Sequence, residues 1–477
     1  MRGGGRVLED TSIAGSDDWW VMRLGEKLGS GLFRMSNLTQ YRNGDALLPD
    51  NAWNQGTRES YMRFMKRSRL HIVETLRDSR TDRQRVMGFR TAALDDAEGD
   101  VEAWKRWKRN RMKVQSRSFF NDTGDYGASH LLIVPSEQHG PIWNVRNDWN
   151  TVTEPNSLRP WLTEAGLTYG FDQVLGYEVL TLHRPGYFRQ AVRPSRMSTL
   201  PQDGSGWYPG AGWSWATGRV RVATEDALLQ TYKTLDGYGI YEKHLDTIDR
   251  INEITLNALT LIIMQSFRQR GVKGNLPEYY PEGHPLAGQR IDYDEMFQAG
   301  PAALWMLPLG ADIWESQPTD VRPIYEARKD EIKVLSSLTR TPQDIFDGSS
   351  QNQSALGAQV SREPLIHAVN NMNDLAEVTL THAMSLDFQL SGDAQRAAVE
   401  DLEVIWAKPN PATLAEKAEA ASKYKAGGAT QHIIDSEVFE LTPAQQREAK
   451  ADRVAEAFVN SLGQAPTVGQ VTEDAGD

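Results

Sequence analysis

A long apolar stripe begins near Tyr241 and sets the strongest condition on the fold. Its apolar positions recur every three or four residues, which is the spacing of one face of an α-helix. They are Leu245, Ile248, Ile251, Thr255, Leu259, Ile262 and Phe267. The pattern lasts for about thirty residues, or about 40 Å at 1.5 Å per residue, and Gly271 predicts its end. It therefore predicts a spanning rod rather than a helix enclosed in one core.

The sequence after this rod is first broken and then helical again. Residues 271–322 are interrupted by Pro and Gly, and short strands are expected near Ala303–Leu307 and Ile313–Trp314. A second helix starts at Pro323, because proline is favoured in a first turn, and ends at Thr341. The order predicts two helices joined by an irregular insert.

A polar loop and a second long helix come next. The loop is Gly348-Ser-Ser-Gln-Asn-Gln353, and the helical pattern covers Leu356–Leu386, where Pro364 predicts a kink or a new start. Glu403–Trp406 is predicted to be a strand, and the C-terminal region adds helices, one of them opened by a capping box at Thr442. No internal repeat of 20–50 residues is visible.

The first half combines basic helices with a strand-rich region. Between Arg58 and Arg117 there are 17 Lys or Arg against 9 Asp or Glu, whereas 391–477 has 8 against 15. Trp104 and Trp107 lie one helical turn apart among these cations, which indicates either a nucleic-acid surface or, as we favour, a helix that buries both indoles. The uneven charge predicts surfaces for different partners, or self-association through opposite patches.

Short apolar runs separated by turn residues occupy 125–225 and predict antiparallel strands. Within this region the segment Trp207–Trp215 is rich in aromatic residues and glycine. Such a segment is typical of a sugar-stacking platform or of a loop packed by its own rings, and we favour the loop. The 14 Trp of the chain keep a carbohydrate-active enzyme as an alternative function.

Composition and missing motifs exclude several classes of function. The chain of 477 residues has no cysteine, which excludes disulfides, thiolate nucleophiles and Cys-ligated metals and fits a reducing compartment. The net charge of -12 argues against a simple DNA-coating protein. No apolar run approaches the roughly 20 residues of a membrane span. A P-loop, a G-x-S-x-G elbow and an H-E-x-x-H zinc motif are absent, so no catalytic site, metal site or cofactor is predicted.

The order of these segments, together with five short motifs, resembles the portal proteins of tailed bacteriophages, particularly those of long-tailed phages of actinobacteria. The resemblance covers about residues 35–460. The motifs are Tyr41-Arg-Asn-Gly44, Ile248-Asp-Arg-Ile-Asn252, Gln265-Ser-Phe-Arg-Gln-Arg270, Leu338-Thr-Arg-Thr-Pro342 and Asn352-Gln-Ser-Ala355. It implies a mainly helical α+β portal fold that forms a ring of about twelve subunits.

The resemblance also implies a division of the chain. The parts are a flexible N-terminal arm (1–34), a wing (35–240), a stem helix (241–270), a clip (271–322), a stem return helix (323–340), a tunnel loop region (341–355), a long kinked helix with a wing strand (356–410), a crown (411–462) and a flexible tail (463–477).

Site residues follow from the same resemblance, none of them catalytic. The tunnel loop at the channel constriction would carry Ser349, Ser350, Gln351, Asn352 and Gln353. The stem would carry Asp249, Arg250, Asn252, Glu253, Arg268 and Arg270. The clip, where other proteins dock, would carry Tyr279, Tyr280, Trp305 and Trp314. The loop lacks Lys and Arg, so we expect its amides and hydroxyls to touch DNA weakly rather than to grip phosphates.

The implied partners are those of a DNA channel at one capsid vertex. They are other copies of the chain, the terminase large subunit, a head–tail adaptor, the major capsid or scaffold protein, and double-stranded DNA passing through, without a membrane. The implied location is the virion, after assembly in the host cytoplasm. Besides the carbohydrate-active enzyme, a structural scaffold that handles no DNA remains an alternative.

Overall fold

The computed structural model describes most of the chain. The described residues are 11–46, 62, 65–93, 99–196, 198, 212–266, 270–274, 276–293, 312–315, 320–347, 355–410 and 412–463. The fold is α+β with about half of its residues helical.

Nine helices of at least nine residues and thirteen strands are used below, numbered in chain order within the described residues. The helices are α1 Asp17–Asn43, α2 Ile72–Thr81, α3 Val101–Arg109, α4 Met112–Tyr126, α5 Leu245–Ser266, α6 Arg322–Leu338, α7 Ala355–Leu390, α8 Leu414–Ala426 and α9 Pro443–Gly463. The strands are β1 Val86–Arg90, β2 Ala128–Val134, β3 Ile142–Asn147, β4 Thr151–Pro155, β5 Thr163–Asp172, β6 Tyr177–Arg184, β7 Tyr187–Pro194, β8 Ser214–Trp215, β9 Val220–Arg221, β10 Leu229–Lys233, β11 Arg270–Lys273, β12 Asp312–Glu315 and β13 Glu403–Trp406.

Helix α1 packs along the largest sheet. That sheet has the strand order β4-β5-β6-β7-β8, with β9 also paired to β7. Apolar side chains of α1 at spacings of four, among them Leu24, Leu28 and Leu32, are buried against Leu167 and Leu182 of this sheet. The apolar side of α1 thus covers one face of the sheet.

The prediction of a flexible arm over 1–34 is wrong from residue 17 onward. The Ser16 hydroxyl accepts a hydrogen bond from the Trp19 amide at 3.1 Å and caps α1, and Asp17 and Asp18 lie in its positive first turn. Gly44 ends the helix at φ 70°, a left-handed conformation that favours glycine. Burial of the stripe against the sheet fixes the segment, while residues 1–10 lie outside the described part.

A second core lies between helices and the three-stranded sheet β10-β2-β3. Helices α3, α4 and α7 enclose it, and Trp107, Trp143 and Phe388 are fully buried there. The predicted helix over Val101–Val114 is interrupted, because α3 ends at Arg109 and α4 restarts after Arg111 at φ 52°. As we favoured, the helix buries its aromatic side: Trp107 is buried and Trp104, partly buried, stacks on it at 6.4 Å between ring centroids.

The C-terminal part returns to the N-terminal half of the chain. Strand β13, predicted at Glu403–Trp406, pairs antiparallel with β1. The Thr413 hydroxyl accepts from the Glu416 amide and the Glu416 carboxylate accepts from the Thr413 amide, a capping box that starts α8. Thr442 and Gln445 make the same exchange before α9, as predicted. Helix α7 contains Pro364 and extends over 36 residues.

Candidate channel-forming hairpin

Two helices and a small β-ribbon form a hairpin, which we call the stem hairpin (α5, β11, β12 and α6). Strand β11 follows α5, β12 precedes α6, and the two strands pair antiparallel, with Val272 opposite Ile313. The 22 residues of α5 span about 33 Å at 1.5 Å per residue. The ribbon lies at one end of the hairpin, and the start of α5 and the end of α6 form the other end, its base.

The boundaries differ from the sequence prediction at the far end of the first helix. Helix α5 ends at Ser266, and Gly271 lies inside β11 rather than at a helix terminus. Arg270 therefore belongs to the ribbon, opposite Glu315, and not to the stem helix. The ladder hydrogen bonds of the ribbon replace those of the helix at this point. Arg268 lies outside the described residues.

Two predicted stem residues anchor the base through long-range hydrogen bonds. The Tyr41 hydroxyl donates to Asp249 Oδ2 at 2.7 Å, and Asn252 Oδ1 accepts from the Leu70 amide at 3.0 Å. Burial raises the pKa of the Asp249 carboxyl, the hydrogen bond from Tyr41 lowers it in part, and the neighbouring Asp246 charge raises it again. Both side chains are directed into the protein, so they hold the hairpin rather than line a surface.

Apolar packing completes the base. Ile248 and Ile251 of α5 and Leu335 of α6 are fully buried together beneath Leu38 of α1. The Arg80 guanidinium of α2 donates to the carbonyl of Thr339, just after α6, at 2.5 Å. Three of the five portal-like motifs, which contain Tyr41, Ile248 and Thr339, thus meet at one place.

Away from the base the hairpin has little cover. Arg250 of α5 reaches Glu331 of α6 at 3.0 Å and ties the two helices together, while Glu253 is partly buried on α5. Most of α6 is exposed, and toward the ribbon the apolar side chains of Ile262 and Ile313 are exposed at 37% and 42%. An exposed helix with apolar side chains is typical of a surface that another chain covers.

The predicted clip residues are only partly described. Tyr279 is exposed and forms a β-bridge with Arg290, and Tyr280 stacks on His284 with 4.4 Å between ring centroids. Trp314 lies in β12, where its backbone is opposite Gly271. Trp305 and the predicted strand over Ala303–Leu307 lie outside the described residues.

The predicted tunnel loop, Ser349 to Gln353, also lies outside the described residues. Its flanks are described: a single helical turn at Asp344–Asp347 precedes it and α7 begins at Ala355. Arg362 of α7 and Asp344 of that turn approach to 3.4 Å. The loop therefore connects the end of α6 to the long helix, and its contacts with DNA stay a prediction.

The aromatic segment does not form an exposed sugar platform in its described part. Trp213 and Trp215 are 1% and 5% exposed, and Arg193 and Arg189 cover their rings at 4.7 and 4.0 Å. Rings buried in this way cannot stack on a saccharide, which removes the main support for the carbohydrate-active alternative.

Membrane-spanning helices and metal-binding clusters are both absent from the described residues. No helix there is both long and apolar enough to cross a bilayer. Likewise, that part of the chain brings together no three His, Cys, Asp or Glu side chains suited to a metal ion.

Sequence reasoning missed the partners that hold the stem base. Tyr41 and Leu70 lie far from α5 in sequence, and the motif that contains Tyr41 does not indicate which residue its hydroxyl binds. The available signal was the amphipathic pattern of α1, in which Met35 and Leu38 continue the stripe toward Tyr41.

Comparison with known proteins gave structural matches only. No protein-family model and no curated protein sequence matches the chain. The chain is similar to one in the virion of a native gene transfer agent particle, with 12% identity, coverage of 85% of this chain and 99% of that one, and a TM-score of 0.39. It is also similar to one in the neck of a native gene transfer agent particle computed with C12 symmetry, with 13% identity, coverage of 84% and 98%, and a TM-score of 0.39. A further similar structure is an HK97-family phage portal protein from Corynebacterium diphtheriae, with 10% identity, coverage of 71% and 92%, and a TM-score of 0.31.

Proposed function

We propose that the chain is the portal subunit of a tailed phage or a phage-like particle. In this role copies of the chain form a ring at one capsid vertex, and the genome enters and leaves through the central channel. The role is structural rather than catalytic. A ring of about twelve subunits is the expected assembly.

The stem hairpin is the observation that carries the proposal. Its base is fixed by the Tyr41–Asp249 and Leu70–Asn252 hydrogen bonds and by the buried Leu335. Most of α6 is exposed, and so are the apolar side chains of Ile262 and Ile313 toward the ribbon. A helical pair that is fixed at its base and exposed along one side can be buried by the next copy of the chain. In a closed ring every copy makes this same heterologous contact with its neighbour.

The net charge of the chain also fits a protein through which DNA passes better than a protein that binds DNA tightly. Phosphate neutralisation by six to ten cations would give a strong, salt-labile affinity that holds DNA in place. The protein instead has a net charge of -12, and the segment Ser349–Gln353 contains only hydroxyls and amides. We propose that this segment faces the channel as the tunnel loop.

The remaining assignments follow the same proposal. The wing would be the strand-rich body, the clip would be the ribbon with residues 276–293, and the crown would comprise α8 and α9. Terminase and then a head–tail adaptor would dock at the clip, and the capsid or scaffold protein would contact the wing. The protein would assemble in the host cytoplasm and remain in the virion.

Native mass spectrometry of the purified chain tests the proposal directly. Twelve chains of 53.5 kDa give a mass of about 642 kDa. Electron microscopy of the same sample should show rings with an open centre. A chain that stays monomeric at micromolar concentration, in both low and physiological salt, would refute the proposal.

A further inference from the structure

Helix α4 separates two surfaces of opposite charge. At about 100° per residue, Lys113 and Arg117 lie roughly 125° around the helix axis from the side that carries Ser118, Asp122 and Asp125. The helix is rigidly held, because Phe119 is buried in the core and the Thr123 hydroxyl hydrogen-bonds with that of Ser129 at 2.6 Å. The angle between the two surfaces is therefore set by the fold.

The first surface, which we call the acidic cleft, is a depression of about 920 Å³ between α1, α2, α4 and β3. Its charged lining consists of Asp45, Glu74, Asp122, Asp125, Arg42 and Arg77. Four carboxyl groups thus face two guanidinium groups. The excess of acid leaves room for an additional cation.

The polar groups that line the cleft differ in exposure and in how fully they are partnered. Asp125 is 1% exposed and is already partnered, because Arg77 reaches its Oδ2 at 3.0 Å and the Tyr241 hydroxyl also hydrogen-bonds to this carboxylate. The buried Oδ1 atoms of Asn121 and Asn147 accept no hydrogen bond from the described residues.

Asp122 forms no ion pair or hydrogen bond within the described part, and burial raises its pKa to about 7. Asp45 and Glu74 are exposed and Asp122 is partly buried, so the accessible part of the cleft is acidic and favours a cationic partner.

The second surface, which we call the basic groove, has a volume of about 330 Å³ between β1, α3 and α4. Its cations are Arg85, Lys108, Lys113 and Arg117, and the Lys108 ammonium lies 5.7 Å from the centre of the Trp104 ring. Arg117 pairs with Asp82 at 3.0 Å, whereas Arg85, Lys108 and Lys113 have no carboxylate partner among the described residues. All three of these side chains are exposed. The groove therefore offers three cations that no carboxylate among the described residues pairs with.

We propose that the basic groove of one copy docks onto the acidic cleft of the next copy. This interface rests on the ring proposed above and names the surfaces that form it. The two surfaces are different and lie on different sides of one rigid helix, which is the arrangement a heterologous ring contact requires. Ammonium and guanidinium groups of one subunit then face Asp45 and Glu74, the exposed carboxylates in its neighbour's cleft. Because the contact is electrostatic, high salt weakens it.

Paired cysteines test the contact, since the chain has none of its own. One preparation carries Lys113→Cys and another carries Ser118→Cys, an exposed position on the rim of the cleft. After assembly of an equal mixture, a short bismaleimide should give a cross-linked dimer. Each preparation alone should give none, because the contact joins unlike surfaces. The double variant should give a ladder that ends at the ring size.

A charge variant provides the second measurement. Reversing Lys108 and Lys113 together to Glu should raise the concentration at which half the chains are assembled by at least about tenfold. Rings that form normally in this variant, with no cross-link in the mixture, would overturn the interface and leave the portal proposal intact. A wild-type chain that forms no ring would refute both proposals.

Discussion

Removing the carboxylate of Asp387 should destabilise the second core more than any surface change. Asp387 lies near the end of α7 and is completely buried. It accepts a hydrogen bond from Arg106 of α3 and another from the Trp143 indole of β3 at 2.7 Å. Arg106 is itself 9% exposed, so it has almost no access to water when its partner is removed.

The size of the effect follows from the charge that remains. Removing one partner of a buried ion pair costs about 3–5 kcal/mol, because the other charge is left without compensation. The indole N–H loses its acceptor as well, so we place Asp387→Ala in the upper half of this range. A loss of 4 kcal/mol in the stability of the core raises the equilibrium constant for its opening nearly a thousandfold.

Hydrogen exchange of the β2 and β3 amides measures this opening in the assembled or the monomeric chain. A matched control is Glu403→Ala, which breaks an exposed pair with Arg90 at 2.8 Å and should cost less than about 1 kcal/mol. Replacing Arg106 and Asp387 together by Met and Leu should restore much of the lost stability. Equal effects of the two alanine variants would refute the reasoning.

Further predictions concern the cleft, the stem base and the loop. The Asp122 carboxyl has a pKa of about 7 in the folded protein, whereas its ordinary value, expected in the unfolded chain, is 3.8. The protonated form therefore favours the folded state, and the free energy of unfolding of the monomer should fall by up to about 4 kcal/mol as the pH rises from about 4 to 7. Asp122→Asn should remove this pH dependence of the free energy of unfolding, as measured by denaturant titrations at several pH values. The same pH dependence in the variant and the wild type would contradict the prediction. Leu335→Ala should destabilise the fully buried stem base by about 2–5 kcal/mol and speed proteolysis of the hairpin, whereas wild-type cleavage rates would argue against its role. Alanine at Gln351, Asn352 and Gln353 together should reduce DNA packaging or genome retention, and normal particles would exclude contact through this segment.

Local sequence signals predicted the parts of the fold that local physics determines. The stripe that begins near Tyr241 predicts α5, which starts four residues later at Leu245, and Pro323 lies in the first turn of α6. The predicted capping box at Thr442 forms with the expected hydrogen bonds. At the proline and the capping box the stabilising partners lie within a few residues, so the local sequence contains the whole interaction.

The errors concern interactions between distant segments. Residues 17–34 were predicted to be flexible, whereas their apolar stripe, which includes Leu24 and Leu28, is buried against strands more than 100 residues away. Asp249 and Asn252 were predicted as stem residues without partners, whereas both bind groups more than 180 residues away in sequence. A helical pattern identifies a polar side but not which residues of another segment will satisfy it.

The pairing of β1 with β13 has a consequence for synthesis of the protein. Residues 86–90 and 403–406 are more than 300 positions apart in sequence. Phe89 is fully buried in the folded protein, but β1 cannot pair until the ribosome has synthesised β13. At 5–20 residues per second, the ribosome needs roughly 15–60 s to complete the intervening chain. During that time β1 has an unpaired edge, which is a site for aggregation. A nascent chain that stops before Glu403 should therefore depend on chaperones far more than the full-length protein does.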